Sequence, residues 1–212
     1  MSRIIPVLLL KNKGLYKGQR FKNHRYIGDP INSVKIFNDL ECDELIFLNI
    51  EASIKNYNID IEIVQDIADE CFMPFCVGGG INNLQIASEY IKAGAEKVSV
   101  NTYAYLNKNL IHEIADRFGS QSVVATIDYK KSVLGKYRAF IYSGRKKIDI
   151  DPLELAQQYE YLGAGEILLN SIEKDGTYSG YDLEIINKIS SKIKIPLIVS
   201  GGASSIEDMK LA

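Results

Sequence analysis

The stretch PFCVGGGI at residues 74–81 is a short apolar run that ends in a glycine-rich turn, and the stretch PLIVSGGA at residues 196–203 repeats the pattern. Both belong to a longer match, because residues 29–90 align without a gap onto residues 151–212 after a shift of 122 positions. Of the 62 aligned pairs, 14 are identical, and many others exchange one apolar residue for another. One half of the chain is therefore predicted to be a copy of the other.

The length of this repeat indicates that the duplicated unit itself contains several strands and helices. Solenoid repeats have periods of about 20 to 50 residues, so a period of 122 residues excludes that architecture. We predict a single domain over residues 1–212, with half-barrels at approximately residues 1–120 and 121–212.

Apolar runs alternate with helical patterns along the chain. Continuous apolar runs are typical of strands buried on both faces of a parallel sheet, and they lie at residues 4–10, 45–50, 74–77, 97–100, 123–127, 167–169 and 195–199. The helical patterns lie at residues 30–40, 59–68, 84–91, 109–118, 152–162 and 183–193, and a further one begins near Ser205. This alternation and the duplication predict an α/β fold of the (β/α)8 TIM barrel class.

The strand count falls one short of a complete barrel. Barrels of this class have about 250 residues, whereas this chain has 212 and shows seven strand patterns. We therefore expect the eighth βα unit to be lacking, which would leave an unpaired sheet edge. The alternative is that the eighth strand belongs to the protein but not to this sequence.

Composition excludes several classes of function. A net charge of −2 gives no basic footprint for nucleic acid, and the apolar runs are far shorter than the roughly 18 residues of a membrane span. Without a signal-peptide pattern the protein is expected to be cytoplasmic. Cys42, Cys71 and Cys76 are expected to be reduced thiols, and neither His24 nor His112 has a Cys or His companion, so we expect no metal site and no cofactor.

The two glycine turns predict an anion site. In barrels of this class the active site lies at the carboxyl ends of the strands, where residues 78–80 and 200–202 stand. Glycines let backbone N–H groups approach an anion closely. Either turn alone could be a simple strand-to-helix connection, but two at equivalent positions of a repeat predict a ligand with two phosphates.

Asp128 is the candidate for acid or base chemistry. It ends the apolar run at residues 123–127, so its carboxyl group is expected at the mouth of the barrel, and a structural ion pair is the alternative. The first strand is the counterpart of the fifth, and Leu9 stands at the position that matches Asp128. A leucine cannot transfer a proton.

Several motifs resemble the cyclase subunit of imidazole glycerol phosphate synthase over the whole chain. They are RII at residues 3–5, KG at 17–18, VGGGI at 77–81, VSVNT at 98–102, DGTYSGYD at 175–182 and SGGA at 200–203. The resemblance implies a lyase of histidine biosynthesis. In that family, ammonia from a glutaminase partner reacts with a ribulosyl aminoimidazole nucleotide to give imidazole glycerol phosphate.

The resemblance also implies roles for individual residues. Asp128 and the loop lysine Lys17 would be catalytic. The positions that would bind substrate phosphate are Gly80, Asn101, Thr102, Asp175, Gly176 and Gly202.

A ring of four charges is implied at the opposite, amino-terminal face of the barrel. Its members each stand at the start of a predicted strand and alternate in sign: Arg3, Glu44, Lys97 and Glu166. In the family this ring admits ammonia from the glutaminase docked at that face. A stabilising ion-pair network is the alternative.

Two departures leave the reaction open. The paired catalytic aspartates of the family correspond to Leu9 and Asp128, and Asn49 replaces an acid near the end of the second strand. The first strand resembles paralogues from bacterial surface-sugar gene clusters, which pass ammonia to an amidotransferase that makes acetamidino sugars. A third hypothesis, a phosphosugar isomerase barrel, does not explain the charged ring.

Overall fold

The computed structural model describes residues 3–212, which contain eleven strands, nine α-helices and one 3-10 turn. The strands are β1 Val7–Lys11, β2 Gly14–Gln19, β3 Lys22–Gly28, β4 Leu45–Asn49, β5 Phe75–Gly78, β6 Lys97–Val100, β7 Val123–Lys131, β8 Tyr137–Ile141, β9 Lys146–Lys147, β10 Glu166–Ser171 and β11 Leu197–Ser200. The helices are α1 Pro30–Asp39, α2 Ala52–Lys55, α3 Ile61–Glu70, α4 Leu84–Lys92, α5 Thr102–Leu106, α6 Leu110–Phe118, α7 Pro152–Tyr161, α8 Leu183–Ser190 and α9 Ile206–Leu211.

Seven of these strands form one parallel, curled sheet in the order β1-β4-β5-β6-β7-β10-β11. Each overlaps one of the seven predicted strands, and the predicted helices overlap α1, α3, α4, α6, α7, α8 and α9. The α/β class is confirmed, and the curled parallel sheet is consistent with a TIM barrel. The absence of an eighth unit and the internal duplication stay predictions.

Two antiparallel additions to the sheet were not predicted from the sequence. β2 and β3 form a hairpin that pairs with the end of β1, and β8 and β9 extend β7 in the same way. The β2–β3 turn places Arg20 and Phe21 at φ 52° and 59°. Positive φ at both central residues is the geometry of a two-residue hairpin turn, which usually contains Asn and Gly. Because Arg and Phe are not typical of this turn, the sequence did not indicate it.

The helices begin where the sequence supplies caps. The Asp29 side chain accepts a hydrogen bond from the Asn32 backbone N–H at the start of α1, and Asp151 accepts one from Leu153 at the start of α7. A proline follows each cap at the first helical position, where its missing N–H costs nothing. None of the helices within residues 3–212 combines the length and apolarity that crossing a membrane requires.

The strand register is the same in the two aligned segments. β4 pairs with β5 from Leu45 opposite Phe75, and β10 pairs with β11 from Ile167 opposite Leu197. Each residue of the second pair is numbered 122 higher than its counterpart. The two segments therefore present corresponding side chains on corresponding sides of the sheet.

The four predicted ring residues form a closed circle of ion pairs at the amino-terminal end of the sheet. The Arg3 guanidinium lies 2.7 Å from Glu44 and 2.5 Å from Glu166, and the Lys97 ammonium lies 2.9 Å from Glu44 and 3.0 Å from Glu166. Burial opposes the charge on Lys97, but its hydrogen bonds to both glutamates raise its pKa. The hydrogen bond to Glu166 likewise raises the pKa of Arg3.

An apolar layer lies next to this ring inside the curled sheet. It consists of four fully buried side chains, one from each of four strands: Ile46, Cys76, Val124 and Leu168. Because side chains two positions apart share a face of a strand, Ile46 follows Glu44, Val124 precedes Thr126 and Leu168 follows Glu166 on the inner face. Burial raises the pKa of the Cys76 thiol, so the thiol stays protonated and unreactive. Cys76 therefore contributes to the packing of this layer.

The closed ring generates a stability prediction. Replacing Lys97 with Met leaves the buried carboxylates of Glu44 and Glu166 with only Arg3 between them. Breaking a buried ion pair on one side costs about 3–5 kcal/mol, so we expect the free energy of unfolding in urea to fall by about 3 kcal/mol at pH 7.5.

Lys35→Met is the matched control for this measurement. Lys35 makes an exposed ion pair with Glu70 at 3.5 Å, and exposed pairs contribute about 0–1 kcal/mol. Equal effects of the two substitutions would show that the ring does not hold the base of the sheet together.

Candidate functional site

A cavity of about 470 Å³ opens at the carboxyl ends of the parallel strands. Its wall includes all eight residues that the sequence nominated for catalysis or phosphate binding: Lys17, Gly80, Asn101, Thr102, Asp128, Asp175, Gly176 and Gly202. The structure therefore brings together residues that are up to 185 positions apart in the chain. The four ring residues lie at the other end of the sheet and do not line this cavity.

The glycine turns line the cavity with matching backbone geometry. Gly79 and Gly201 have φ 112° and 94°, a region that side chains rarely adopt. A Cβ atom would lie 2.6 Å from the Asn49 carbonyl oxygen at Gly79 and 2.7 Å from the Ser171 carbonyl oxygen at Gly201. Only glycine fits at either place. The residues that the two glycines contact also correspond, because Ser171 is 122 positions after Asn49.

Asn101 and Thr102 connect neighbouring parts of the wall. The Asn101 side-chain amide donates a hydrogen bond to the Thr126 carbonyl at 3.0 Å, and the Thr102 hydroxyl accepts one from the Tyr142 backbone N–H at 2.9 Å. Thr102 thereby fastens the β8–β9 extension to the sheet. Its hydroxyl group is already engaged, which the sequence pattern could not show.

Asp128 is almost fully buried and lies beside Asn170. Its exposed fraction is 6%, and its carboxylate accepts a long hydrogen bond of 3.4 Å from the Asn170 amide. Burial raises the pKa of Asp128 to about 7, while the bond to Asn170 opposes that shift and the charge of Asp175 adds to it. Within residues 3–212, the Asn170 side-chain oxygen is buried and has no hydrogen-bond partner. A carboxyl group with this pKa can give or take a proton near neutral pH.

Leu9 stands at the place that corresponds to Asp128. It pairs with Leu48 across β1 and β4, whereas Asp128 pairs with Asn170 across β7 and β10, and Asn170 is 122 positions after Leu48. All four residues line the cavity. The cavity therefore presents a carboxyl group on one side and alkyl groups at the matching place on the other.

Asn49 has a structural role at the end of β4. Its side-chain oxygen accepts hydrogen bonds from the backbone N–H groups of Glu51 and Ala52 and from the Tyr57 hydroxyl, at 3.0 to 3.2 Å. These bonds fix the turn that leads into α2. Asn49 is therefore committed to the backbone, although it also faces the cavity.

The β2–β3 hairpin covers one side of the cavity and carries Lys17. Its pairing shifts register between Lys17 and Gln19, and a bulge of this kind re-aims the neighbouring side chains. At the turn, the Arg20 backbone N–H donates to the Asp175 carbonyl at 2.9 Å, and the Phe21 N–H donates to the Asp175 carboxylate at 3.3 Å. Burial raises the pKa of Asp175, while the bond from Phe21 opposes the shift.

Three polar side chains of the wall were missed by sequence reasoning. The Ser99 and Thr126 hydroxyls form a buried hydrogen bond of 2.6 Å, and Asn170 lies next to Asp128. Thr126 could have been found, because it precedes Asp128 by two positions and so shares its face of the strand. In the described part of the chain, no group of three or more His, Cys, Asp or Glu is arranged to hold a metal ion.

The segments that frame the cavity are strongly basic. Residues 11–28 contain six Lys or Arg and residues 129–148 contain seven, with no Asp or Glu in either segment. The two segments approach each other where a Cβ atom on Gly144 would lie 3.0 Å from the Phe21 ring. Four of these thirteen cations, Lys11, Lys13, Lys131 and Arg138, form ion pairs with carboxylates outside the two segments. The other nine make the rim at this end positive in a chain with net charge −2, which favours the approach of an anion.

Known proteins resemble this chain over nearly its whole length. The family described as histidine biosynthesis protein matches residues 3–212. A Pseudomonas aeruginosa protein with the provisional name imidazole glycerol phosphate synthase subunit hisF2 is 48% identical over 207 residues, which cover 98% of this chain and 82% of that protein. A Vibrio vulnificus protein provisionally named imidazole glycerol phosphate synthase subunit hisF3 is 45% identical, covering 98% of this chain and 80% of that protein.

A further relative has the name of the synthase subunit itself. The imidazole glycerol phosphate synthase subunit HisF of Streptococcus mutans is 42% identical over 208 residues, which cover 98% of this chain and 83% of that protein. Identity at this level over this length reflects common descent of the whole described fold. The chain therefore belongs to the histidine biosynthesis protein family, together with HisF subunits of imidazole glycerol phosphate synthase.

Proposed function

We propose that this chain is a cyclase subunit of the imidazole glycerol phosphate synthase type. In this role it would be a lyase that takes ammonia from a glutaminase partner and converts a ribulosyl aminoimidazole nucleotide to imidazole glycerol phosphate. The observation that carries the proposal is the single cavity that joins the two glycine turns, Lys17 and Asp128. The names of the HisF relatives support the same reaction class.

The cavity wall suits a ligand with two phosphates. Gly79 and Gly201 hold the backbone in conformations that keep side chains out of the turns, so that N–H groups can approach an anion. The turns belong to different segments of the sheet and face one cavity. A molecule with a phosphate at each end would span it, and the basic rim would attract such a molecule from solution.

Asp128 is the residue that we assign to proton transfer. Its pKa of about 7 makes both protonation states available near neutral pH. The Asn170 amide lies at 3.4 Å and would orient the carboxyl group. The unpartnered Asn170 oxygen is a further acceptor for an N–H group of substrate or ammonia.

The charged ring and the apolar layer support an ammonia path along the sheet axis. Four ion pairs close the base, and the fully buried side chains of Ile46, Cys76, Val124 and Leu168 separate the ring from the cavity. A charged ammonium ion would lose its hydration in that layer at high cost, whereas neutral ammonia would not. The arrangement therefore favours ammonia and requires the ring to open briefly.

The amino-terminal face also has the character of a protein-binding surface. Large apolar side chains are exposed in the segments that precede the strands, among them Ile4, Leu40 and Phe72. Phe72 is 86% exposed. Apolar side chains that are exposed together at one face are a common feature of protein-binding surfaces. A glutaminase docked there would deliver ammonia directly to the ring.

Leu9 favours a second candidate function. A subunit that passes ammonia to a sugar amidotransferase would need the ring and the apolar layer but not a second acid. Leu9 supplies no proton-transfer group at the place that corresponds to Asp128. Two of the relatives with 45–48% identity carry numbered names, hisF2 and hisF3, which suits additional copies with a separate role.

The proposal predicts turnover that depends on Asp128. The nucleotide substrate and ammonium salts at high pH should give imidazole glycerol phosphate without a glutaminase. Asp128→Asn should lower the rate about 10²- to 10⁴-fold, measured by product formation. The control is Asp116→Asn, which changes an exposed carboxylate on α6. No turnover with the unsubstituted chain, while a HisF enzyme is active in parallel, would exclude the cyclase function.

The raised pKa of Asp128 predicts a pH-dependent stability that needs no substrate. Burial raises its pKa from 3.8 to about 7, so the folded state retains a proton that the unfolded state releases. Stability should therefore fall as pH rises between these values, by roughly 2–3 kcal/mol from pH 5 to pH 8. Urea unfolding should show this loss in the unsubstituted chain and not in Asp128→Asn. The same loss in both proteins would contradict the assigned pKa.

Leu9→Asp separates the two candidate functions. If the chain is a cyclase that lacks one acid, a carboxyl group at this place should raise ammonia-dependent turnover by tenfold or more. Leu48→Asp is the control, because it adds a carboxyl group to the same cavity wall on the neighbouring strand. An unchanged rate with Leu9→Asp in a folded protein would favour the ammonia-passing role.

A further inference from the structure

We infer that Tyr178 is a positioning residue that holds the Lys17 ammonium over the cavity and fastens the β2–β3 hairpin to the loop after β10. The Lys17 ammonium donates a hydrogen bond to the Tyr178 hydroxyl. Its nitrogen atom lies 4.9 Å from the centroid of the Tyr178 ring, beyond the hydroxyl, so the hydrogen bond is the contact that joins the two side chains. The two residues are 161 positions apart in the chain.

The loop that carries Tyr178 is held firmly by its own hydrogen bonds. The Thr177 hydroxyl donates to the Lys174 carbonyl at 2.7 Å, and the Lys174 ammonium donates to the Gly180 carbonyl at 2.8 Å. The Gly180 N–H donates to the Gly202 carbonyl at 2.8 Å. The loop is therefore anchored to the second glycine turn, and it offers a fixed support for a mobile side chain.

Tyr178 itself has an unusual backbone conformation. Its φ is 55°, which is uncommon for an aromatic residue and costs about 1 kcal/mol or more. The surrounding hydrogen bonds maintain this conformation. Strained backbone of this kind is often found where a side chain has to point in a defined direction, and here the side chain meets Lys17.

The hairpin meets this loop at three other places. Gly176 packs on the backbone of Gly18, where a Cβ atom would lie 2.4 Å from the Gly18 carbonyl oxygen. The Arg20 N–H donates to the Asp175 carbonyl at 2.9 Å, and the Phe21 N–H donates to the Asp175 carboxylate at 3.3 Å. Both hydrogen bonds lie at the turn, whereas Lys17 lies in the strand at a register shift. Without Tyr178 the long Lys17 side chain would regain its rotamer freedom, and the hairpin would lose its one side-chain hydrogen bond to the loop from Lys17.

The contact leaves Lys17 able to bind an anion. An ammonium group has three N–H donors and no acceptor, so one bond to Tyr178 leaves two donors for a phosphate oxygen in the cavity. Among the residues that the structure describes, Lys17 is the one Lys or Arg that lines this cavity. The inference rests on the proposed function only for the identity of that anion. The hydrogen bond from Lys17 also lowers the pKa of Tyr178.

Limited trypsin digestion tests the attachment without any substrate. Arg20 and Lys22 are exposed cleavage sites at the hairpin turn. Tyr178→Phe and Lys17→Met should each speed cleavage at these two sites roughly three- to tenfold, because cleavage tracks the population of the detached hairpin. The double variant should be cleaved no faster than the faster single variant, since both changes remove one contact.

Tyr161→Phe is the matched control. Tyr161 is almost fully exposed, and its hydroxyl makes no hydrogen bond within residues 3–212. Trypsin should therefore cleave the Tyr161→Phe protein at the same rate as the unsubstituted chain. Additive effects of Tyr178→Phe and Lys17→Met would overturn the inference. A Tyr178→Phe protein cleaved at the rate of Tyr161→Phe would also overturn it.

Binding of inorganic pyrophosphate supplies a readout that a purely structural role would not change. Measured by calorimetry, the dissociation constant should rise by similar factors in Tyr178→Phe and Lys17→Met, and the double variant should show no further rise. Unchanged affinity in Tyr178→Phe beside a weakened Lys17→Met would overturn the positioning role. Absence of pyrophosphate binding in the unsubstituted chain would count against the proposed two-phosphate ligand, and the cleavage rates would then decide the present inference.

Discussion

The ion pairs of Arg3 join the two edges of the curled sheet at its base. This residue precedes β1, yet its guanidinium binds Glu44 of the neighbouring strand segment and Glu166 of β10. Within residues 3–212, β1 and β11 form no hydrogen bonds with each other, so no ladder closes the sheet on that side. Arg3 spans this side at the base, and the contact between Arg20 and Asp175 spans it at the mouth. The open side of the curled sheet is therefore bridged at both ends, and the residues that line the cavity lie between these two bridges.

The two aligned segments share a scaffold but differ in the chemistry they present. Their helix caps, strand register and glycine turns correspond under one shift of 122 positions. Those features depend on backbone geometry, which tolerates few residue types. The side chains of β1 and β7 that line the cavity have no such constraint. Leu9 on β1 occupies the position that corresponds to Asp128 on β7. The proposed anion binding therefore depends on the backbone and the proposed proton transfer on a side chain, so that the two can vary separately in this fold.

The sequence predicted the features that depend on local pattern. Apolar runs located the seven parallel strands, strand-end positions located the glycine turns and Asp128, and the resemblance to the cyclase subunit located the charged ring. It did not predict the hairpins, because the turn residues Arg20 and Phe21 adopt positive φ without an Asn or Gly signal. It also could not predict the contact of Lys17 with Tyr178, which depends on how distant loops meet. The hairpins and the contact between Lys17 and Tyr178 are therefore determined by tertiary contacts and not by local sequence pattern.

Leu9 affects the chemistry of Asp128 even though it cannot transfer a proton. Burial is the largest cause of the raised pKa of Asp128, and no second carboxyl group stands at the matching place to raise it further. An acid at position 9 would add to the repulsion that Asp175 already exerts on Asp128, and it would favour a state in which one acid is protonated and the other ionised. With Leu9 at that place, burial is the dominant effect and Asp128 has a pKa of about 7, so that both of its protonation states are available near neutral pH. Such a group can release a proton in one step and recover it in the next, provided that the substrate returns the proton to the same oxygen.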